Sequence, residues 1–273
     1  ELGVPLFERR ARGMSLTEAG ELLLEFANLS RTRLEDLKSR IQEFEALQRG
    51  HVAIATVEGL LVGLVSDFAE KFLREHPRIS LCVSALGSHA VAETVAEHRA
   101  DVGIVFGQSP RRDLLELATM SQPLCAVVRR SHPLAAQRTC RLAQALEHPH
   151  VLPDRSFGIR QLIDRVRANG RIEARAAVET NTLAFACHLS LRTDVVTFLP
   201  LDAVRNEVAE GRLKAVPLDD ELLRSTRVTL VASASRTLST AATRVADRLR
   251  ARMDGRDPCP EALQRSQNQN AAV

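Results

Sequence analysis

The residues able to do chemistry fall in four turns, each between an apolar run and an amphipathic one. These are Thr56-Val-Glu-Gly59, Gly87-Ser88-His89, Asp154-Arg-Ser156-Phe-Gly158 and Glu179-Thr-Asn181-Thr182. Each combines small or hydroxyl side chains with backbone N–H groups at the start of a helix. Those N–H groups and the helix dipole favour an anion, so the turns suit a small carboxylate. The same residue types also serve as helix caps, and for any single turn capping explains them equally well. Convergence of all four on one cleft beyond the strand ends favours binding. Ser88 and Thr182 are then the side-chain donors and Thr197-Phe198 a wall. Thr56, Gly59, Gly87, Asp154, Ser156 and Asn181 complete the candidate set.

The spacing does not support catalysis. There is no Gly-x-Ser-x-Gly elbow, His-Glu-x-x-His pair, Walker loop or Ser-x-x-Lys. Cys82, Cys125, Cys140, Cys187 and Cys259 are scattered and include no Cys-x-x-Cys pair, which fits neither a disulfide framework nor a zinc site. His148-Pro-His150 has no acidic or thiol partner at ligand spacing and reads as a surface turn. Gly59-x-x-x-Gly63 reads as a close-packing glycine pair. No enzyme activity, cofactor or metal is expected.

The chain has 273 residues, 45% hydrophobic and 26% charged, enough for one large domain or two smaller ones. No apolar run approaches the ~20 residues of a membrane span, and nothing near residue 1 reads as a secretory signal. A reducing, cytoplasmic setting without a membrane partner is therefore expected. The net charge of +3 is too small to argue for nucleic acid by itself. Trp and Tyr are absent, which removes the usual stacking platform for single strands.

The elements that must position the turns alternate from His51 onward. Strands are predicted at 52–56, 79–85, 102–106, 124–128, 195–199, 213–216 and 228–232. Helices are predicted at 60–74, 90–98, 159–168, 183–191, 202–210 and 240–253. The alternation implies an α/β fold of two similar lobes, with parallel-rich sheets covered on both faces. Residues 254–273 read as a disordered tail. Upstream, residues 17–48 read as one helix. Thr17 is a candidate N-cap, and Ser15-x-x-Glu18 fits a capping box. Leu23, Ala27, Ser30, Leu34, Leu37, Ile41 and Phe44 recur at coiled-coil spacing along ~48 Å, a dimerisation seam or a helix lying on its own domain. Residues 1–16 hold three arginines and Gly13 at a tip, a small β-wing or a solvated, frayed terminus.

Together these residues resemble a known family. Leu2-Gly-Val-Pro-Leu-Phe-Glu-Arg9 and Leu16-Thr-Glu-Ala-Gly20 resemble the wing and linker-helix start of the LysR-type transcriptional regulators. Glu75-His-Pro77, Arg99-Ala-Asp-Val-Gly-Ile104, Ser131-His-Pro-Leu134, Phe198-Leu-Pro200 and Gly211-Arg-Leu213 follow in the order of their effector domain. The resemblance runs from residue 1 to about residue 253. It implies the end of a winged helix-turn-helix (1–16), a linker helix (17–50) and a bilobed, periplasmic-binding-protein-like α/β effector domain (51–253). Lobe I is then 51–123 with 226–253, and lobe II 124–225. It also implies a dimer or tetramer that binds double-stranded promoter DNA as the complete protein. A small anionic metabolite is the implied effector and RNA polymerase a further partner. Arg12 matches the wing arginine at the minor groove, with Arg9 and Arg10 on phosphates. Gly59 stands where many members carry a hydroxyl that bonds the effector, and Ser88 matches a second such position.

The chain departs from the pattern in two places. Leu191-Arg-Thr-Asp194 replaces a glycine-rich turn. The chain also opens mid-pattern, as an N-terminally incomplete member lacking most of the recognition helix. A solute-binding protein of the periplasmic type shares the fold and is the alternative. The seam at 23–44 and Thr17-Glu-Ala-Gly20 argue against it.

Overall fold

The structure, a computed structural model, describes residues 3–10, 13–24, 26–27, 50–107, 109 and 111–255. The chain divides into two compact units at Arg49/Gly50. Arg12, Leu34, Leu37, Ile41 and Phe44 lie outside the described residues, as does the tail from residue 256.

In the first unit β1 (Phe7–Arg10) and β2 (Gly13–Leu16) form an antiparallel hairpin, with Phe7 opposite Leu16 and Arg10 opposite Gly13. Arg9 and Arg10 lie on β1. Residues 18–24 and 26–27 are helical (α1). Thr17 joins hairpin to helix. Its backbone N–H donates to the Leu6 carbonyl at 3.0 Å and its hydroxyl to the Pro5 carbonyl at 2.8 Å. The same hydroxyl accepts the Gly20 N–H at 3.1 Å, so Thr17 is the N-cap. A Cβ on Gly20 would fall well inside 3.0 Å of the Leu6 carbonyl oxygen, so the joint requires glycine there. Leu22, Leu23, Leu24 and Phe26 are exposed.

The second unit holds two five-stranded sheets. Lobe I contains β3 (Gly50–Thr56), β4 (Ile79–Ala85), β5 (Val102–Phe106), β6 (Leu114–Ser121) and β12 (Arg227–Ser233), in the order β4-β3-β5-β12-β6. Lobe II contains β7 (Leu124–Arg129), β8 (His150–Pro153), β9 (Val178–Thr180), β10 (Val196–Pro200) and β11 (Leu213–Pro217), in the order β11-β7-β10-β8-β9. Neither sheet is simply parallel. β4, β3 and β5 are parallel, but β12 runs antiparallel to both β5 and β6. Likewise β10, β8 and β9 are parallel, and β7 opposes β10 and β11. The reversals arise because the chain crosses between lobes twice, after β6 and before β12. At the crossings Gln122 donates its N–H to the Thr226 carbonyl at 2.8 Å, and the Thr226 hydroxyl returns a bond to the Gln122 carbonyl.

Each lobe has its own core. Val52, Ile54, Leu60, Phe68 and Phe72 pack with Val245 and Leu249 in lobe I; Leu124, Leu152, Ile163, Phe198 and Leu213 pack in lobe II. Phe106 packs against both.

The helix predicted at 60–74 is divided. A 3-10 turn, Glu58–Leu60, and a π turn, Leu61–Val65, precede α2 (Ser66–Glu75). Further helices are α3 (Ser88–Ala96), α4 (Leu142–Leu146), α5 (Gly158–Gly170), α6 (Leu183–Arg192), α7 (Arg205–Ala209), α8 (Glu221–Arg224) and α9 (Thr240–Met253). Ser239 caps α9 by accepting the Ala242 N–H at 3.2 Å.

His150 is not in a surface turn. It opens β8 buried, with Nδ1 2.8 Å from the His148 carbonyl and its ring against Phe198. Burial holds its pKa below the usual histidine value.

Candidate functional site

The sheet order brings the predicted turns together at the boundary between the lobes. Val57 to Leu60 follow β3, and Leu86 to Ser88 follow β4. From lobe II, Phe157 to Ile159 open α5 and Leu183 opens α6. With Phe106, Gln122, Pro200 and Val228 these residues line a small hollow. About 20 Å³ of it is open to the centre of a water molecule, room for roughly one water. The lining is mainly apolar. Glu58, Ser88 and Gln122 supply the polar side chains.

Glycine lets the lobes approach at three points. A Cβ on Gly59 would lie 3.2 Å from Pro200, one on Gly158 2.9 Å from Phe106, and one on Gly87 3.2 Å from the Ser156 carbonyl. Polar bridges cross the same boundary. Glu58 Oε1 accepts the Thr182 hydroxyl at 3.0 Å and the Ala184 N–H at 3.1 Å. Asp202, in the 3-10 turn Leu201–Val204 that follows lobe II's central strand, accepts the Leu64 N–H at 2.8 Å. Burial raises the Asp202 pKa, and the Leu64 N–H opposes that shift. A side chain on Gly63 would collide with this carboxylate. Asp67 on α2 pairs with Arg205 across the boundary and with Arg252 on α9.

Of the candidates from sequence, Gly59, Gly87 and Ser88 line the hollow, and Thr182 reaches its edge through Glu58. Ser88 Oγ accepts the Phe106 N–H at 2.9 Å, which leaves its O–H to donate. Thr56 is fully buried, with its hydroxyl turned to the Val57 carbonyl at 3.3 Å. Asp154 and Ser156 bond each other in a local turn, which lowers the Asp154 pKa. Asn181 is exposed. Thr197 and Phe198 form no wall of the hollow. Both are fully buried because β10 is the central strand of its sheet, and Phe106 and Phe157 supply the aromatic surface instead. Glu58 was missed, although a carboxylate between Val57 and Gly59 is a visible signal. Phe106, Phe157 and Gln122 were missed because nothing local marks them.

Reactive groups are scarce here. Burial pushes the Cys125 thiol up to about 12 and the Cys140 and Cys187 thiols to about 11, so all three stay protonated and inert. Among the described residues no group of three His, Cys, Asp or Glu could hold a metal ion.

The LysR substrate binding domain matches residues 45–254. The chain belongs to the LysR family. The similarity extends to curated LysR relatives. A probable RuBisCO transcriptional regulator of Trichormus variabilis is 24% identical over 232 residues, covering 83% of this chain and 69% of that protein. The HTH-type transcriptional activator CmpR of Synechocystis is 22% identical over 181 residues, covering 66% and 59%. Solved LysR folds superpose as well. The Synechocystis CcmR regulatory domain in complex with 2-PG matches with a TM-score of 0.65 at 17% identity, over 75% of this chain and 98% of that one. The effector binding domain of QuiR in complex with shikimate matches with a TM-score of 0.63 at 16% identity, over 76% and 98%. LysR membership favours a transcriptional regulator over the solute-binding alternative.

Proposed function

We propose that this LysR chain senses a small carboxylate in the hollow between its lobes and, as the complete cytoplasmic protein, couples that event to promoter DNA. One observation carries the reading: turns from both lobes meet around an apolar hollow whose polar side chains are Glu58, Ser88 and Gln122, with the start of α6 at its edge. Two structural neighbours hold small molecules, 2-PG and shikimate, in the corresponding fold. The hollow here has room for about one water, so an effector enters as the lobes part about Gln122 and Thr226. Ser88 and the N–H groups of α6 orient the carboxylate, and Leu86, Phe106 and Phe157 cover its apolar body. Nothing in the site calls for bond chemistry. Arg9 and Arg10 on β1 meet DNA phosphates and Arg12 the minor groove. The seam of Leu23, Leu34, Leu37, Ile41 and Phe44 pairs two chains.

A thermal-shift screen of small carboxylates tests the reading, with an added dye because Trp and Tyr are absent. A binder raises stability by ~2.7 kcal/mol at a hundredfold excess over Kd. Leu86→Trp fills the hollow and abolishes the shift. A binder retained at full affinity by Leu86→Trp places the site elsewhere.

A further inference from the structure

Glu58 is the group that most needs an explanation. It belongs to lobe I, yet both hydrogen-bond partners of its carboxylate belong to lobe II. Those partners are the cap and first turn of α6. A helix N-terminus is ordinarily closed by its own N-cap side chain, which accepts an N–H two or three residues on. Thr182, the N-cap of α6, makes no such bond. Its hydroxyl donates across the boundary to Glu58 instead, and the Ala184 N–H donates to the same oxygen. A carboxylate from the opposite lobe thus completes the helix start, where the dipole favours negative charge. Around it Leu60, Leu86, Phe106, Phe157 and Leu183 are apolar.

We infer that Glu58 is a tethered ligand: its carboxylate occupies the seat at α6 that the effector's carboxylate takes over on binding. The inference rests on the hollow being the effector site. Without effector, Glu58 holds lobe to lobe and the hollow stays shut. An entering carboxylate exchanges for it at Thr182 and Ala184, while its apolar body lies among the apolar side chains that line the hollow. The effector class follows: a monocarboxylate with a compact apolar body. The tether also sets the threshold of response. An intramolecular group competes at a high effective concentration, so the free ligand's apparent affinity is reduced by the fraction of seats already filled.

Acetate is the probe, because Glu58→Ala deletes the CH2–COO− atoms of acetate itself. The chain described here is melted in rising sodium acetate, with sodium chloride balancing ionic strength. Glu58→Ala is expected to lower Tm by about 2–4 °C, and acetate to restore it saturably. The unsubstituted chain, its seat filled, responds little. Glu58→Ala combined with Thr182→Val loses most of the acetate response. Melting of Glu58→Ala at the unsubstituted Tm, or equal acetate stabilisation of both chains, overturns the inference. The two readings fail separately. Acetate rescue without any carboxylate binder in the screen retains the tether and removes the effector site. Binders whose affinity is the same in Glu58→Ala do the reverse.

Discussion

A single methyl group added at Gly63 interrogates the joint between the lobes. Gly63 lies in the π turn beside the Asp202 carboxylate, and a Cβ there falls well inside 3.0 Å of all three carboxylate atoms. Non-bonded carbon contacts settle near 3.5–4.0 Å, so the carboxylate must withdraw by roughly 1 Å or more. Withdrawal breaks its bond to the Leu64 N–H, now 2.8 Å. Loss of a hydrogen bond to a charged group costs about 1.5–3 kcal/mol. Replacing a helical glycine returns about 0.5–1 kcal/mol. The net loss is about 0.5–2.5 kcal/mol, a fall in Tm of about 1–10 °C for a unit of this size. Dye-monitored melting of Gly63→Ala measures it. The same substitution in an Asp202→Ala background meets no carboxylate and is expected to be neutral or stabilising. The coupling between the two sites is then about 1–3 kcal/mol. A Gly63→Ala protein as stable as the parent, or an equal fall in both backgrounds, refutes the reasoning.

Gly20→Ala forces a Cβ onto the Leu6 carbonyl and should open the joint between hairpin and α1. Limited proteolysis near Thr17 then accelerates, and an unchanged cleavage rate argues against the joint. Burial holds the pKa values of His132 and His150 below that of an ordinary histidine, with the neighbouring His148 adding to the effect at His132. A depressed histidine favours the neutral form in the fold. Its stability is therefore complete above the unfolded value of about 6.5 and declines as pH falls through the lower folded values. Melts across this range should flatten in His150→Phe, and an unaltered slope contradicts the assignment.

Legibility in the sequence followed local pattern rather than burial, since Ile79, Leu81 and Val83 alternate along a largely exposed edge strand. Ile79–Ala85, Val102–Phe106 and Thr240–Met253 have the predicted ends. Val102–Phe106 is a continuous apolar run, and the last helix carries its own cap at Ser239. β6 carries no such signal, because Leu114, Leu115, Leu117, Ala118 and Met120 put apolar residues on both faces and leave no clean alternation. Strand direction was illegible because it depends on where the chain changes lobe. At the site, Gly59, Gly87 and Ser88 could be found from their turns. Glu58 stands in the same turn as Gly59, but its pairing could not be read there, because its partners Thr182 and Ala184 lie far along the chain. Thr197 and Phe198 were misplaced for the opposite reason: an apolar strand end looks alike whether it borders a cleft or a core.

The placement of β12 has a consequence for synthesis. It lies between β5 and β6, yet it is translated after all of lobe II. Until it leaves the ribosome, β5 and β6 each present an unpaired edge, the kind of surface that invites association with other chains. Lobe II is contiguous and can fold meanwhile. At ~5–20 residues per second the wait from β6 to β12 lasts roughly 5–20 seconds. The regulator's most exposed moment is thus in its making, when half of its sensor is open and the strand that closes it has yet to appear.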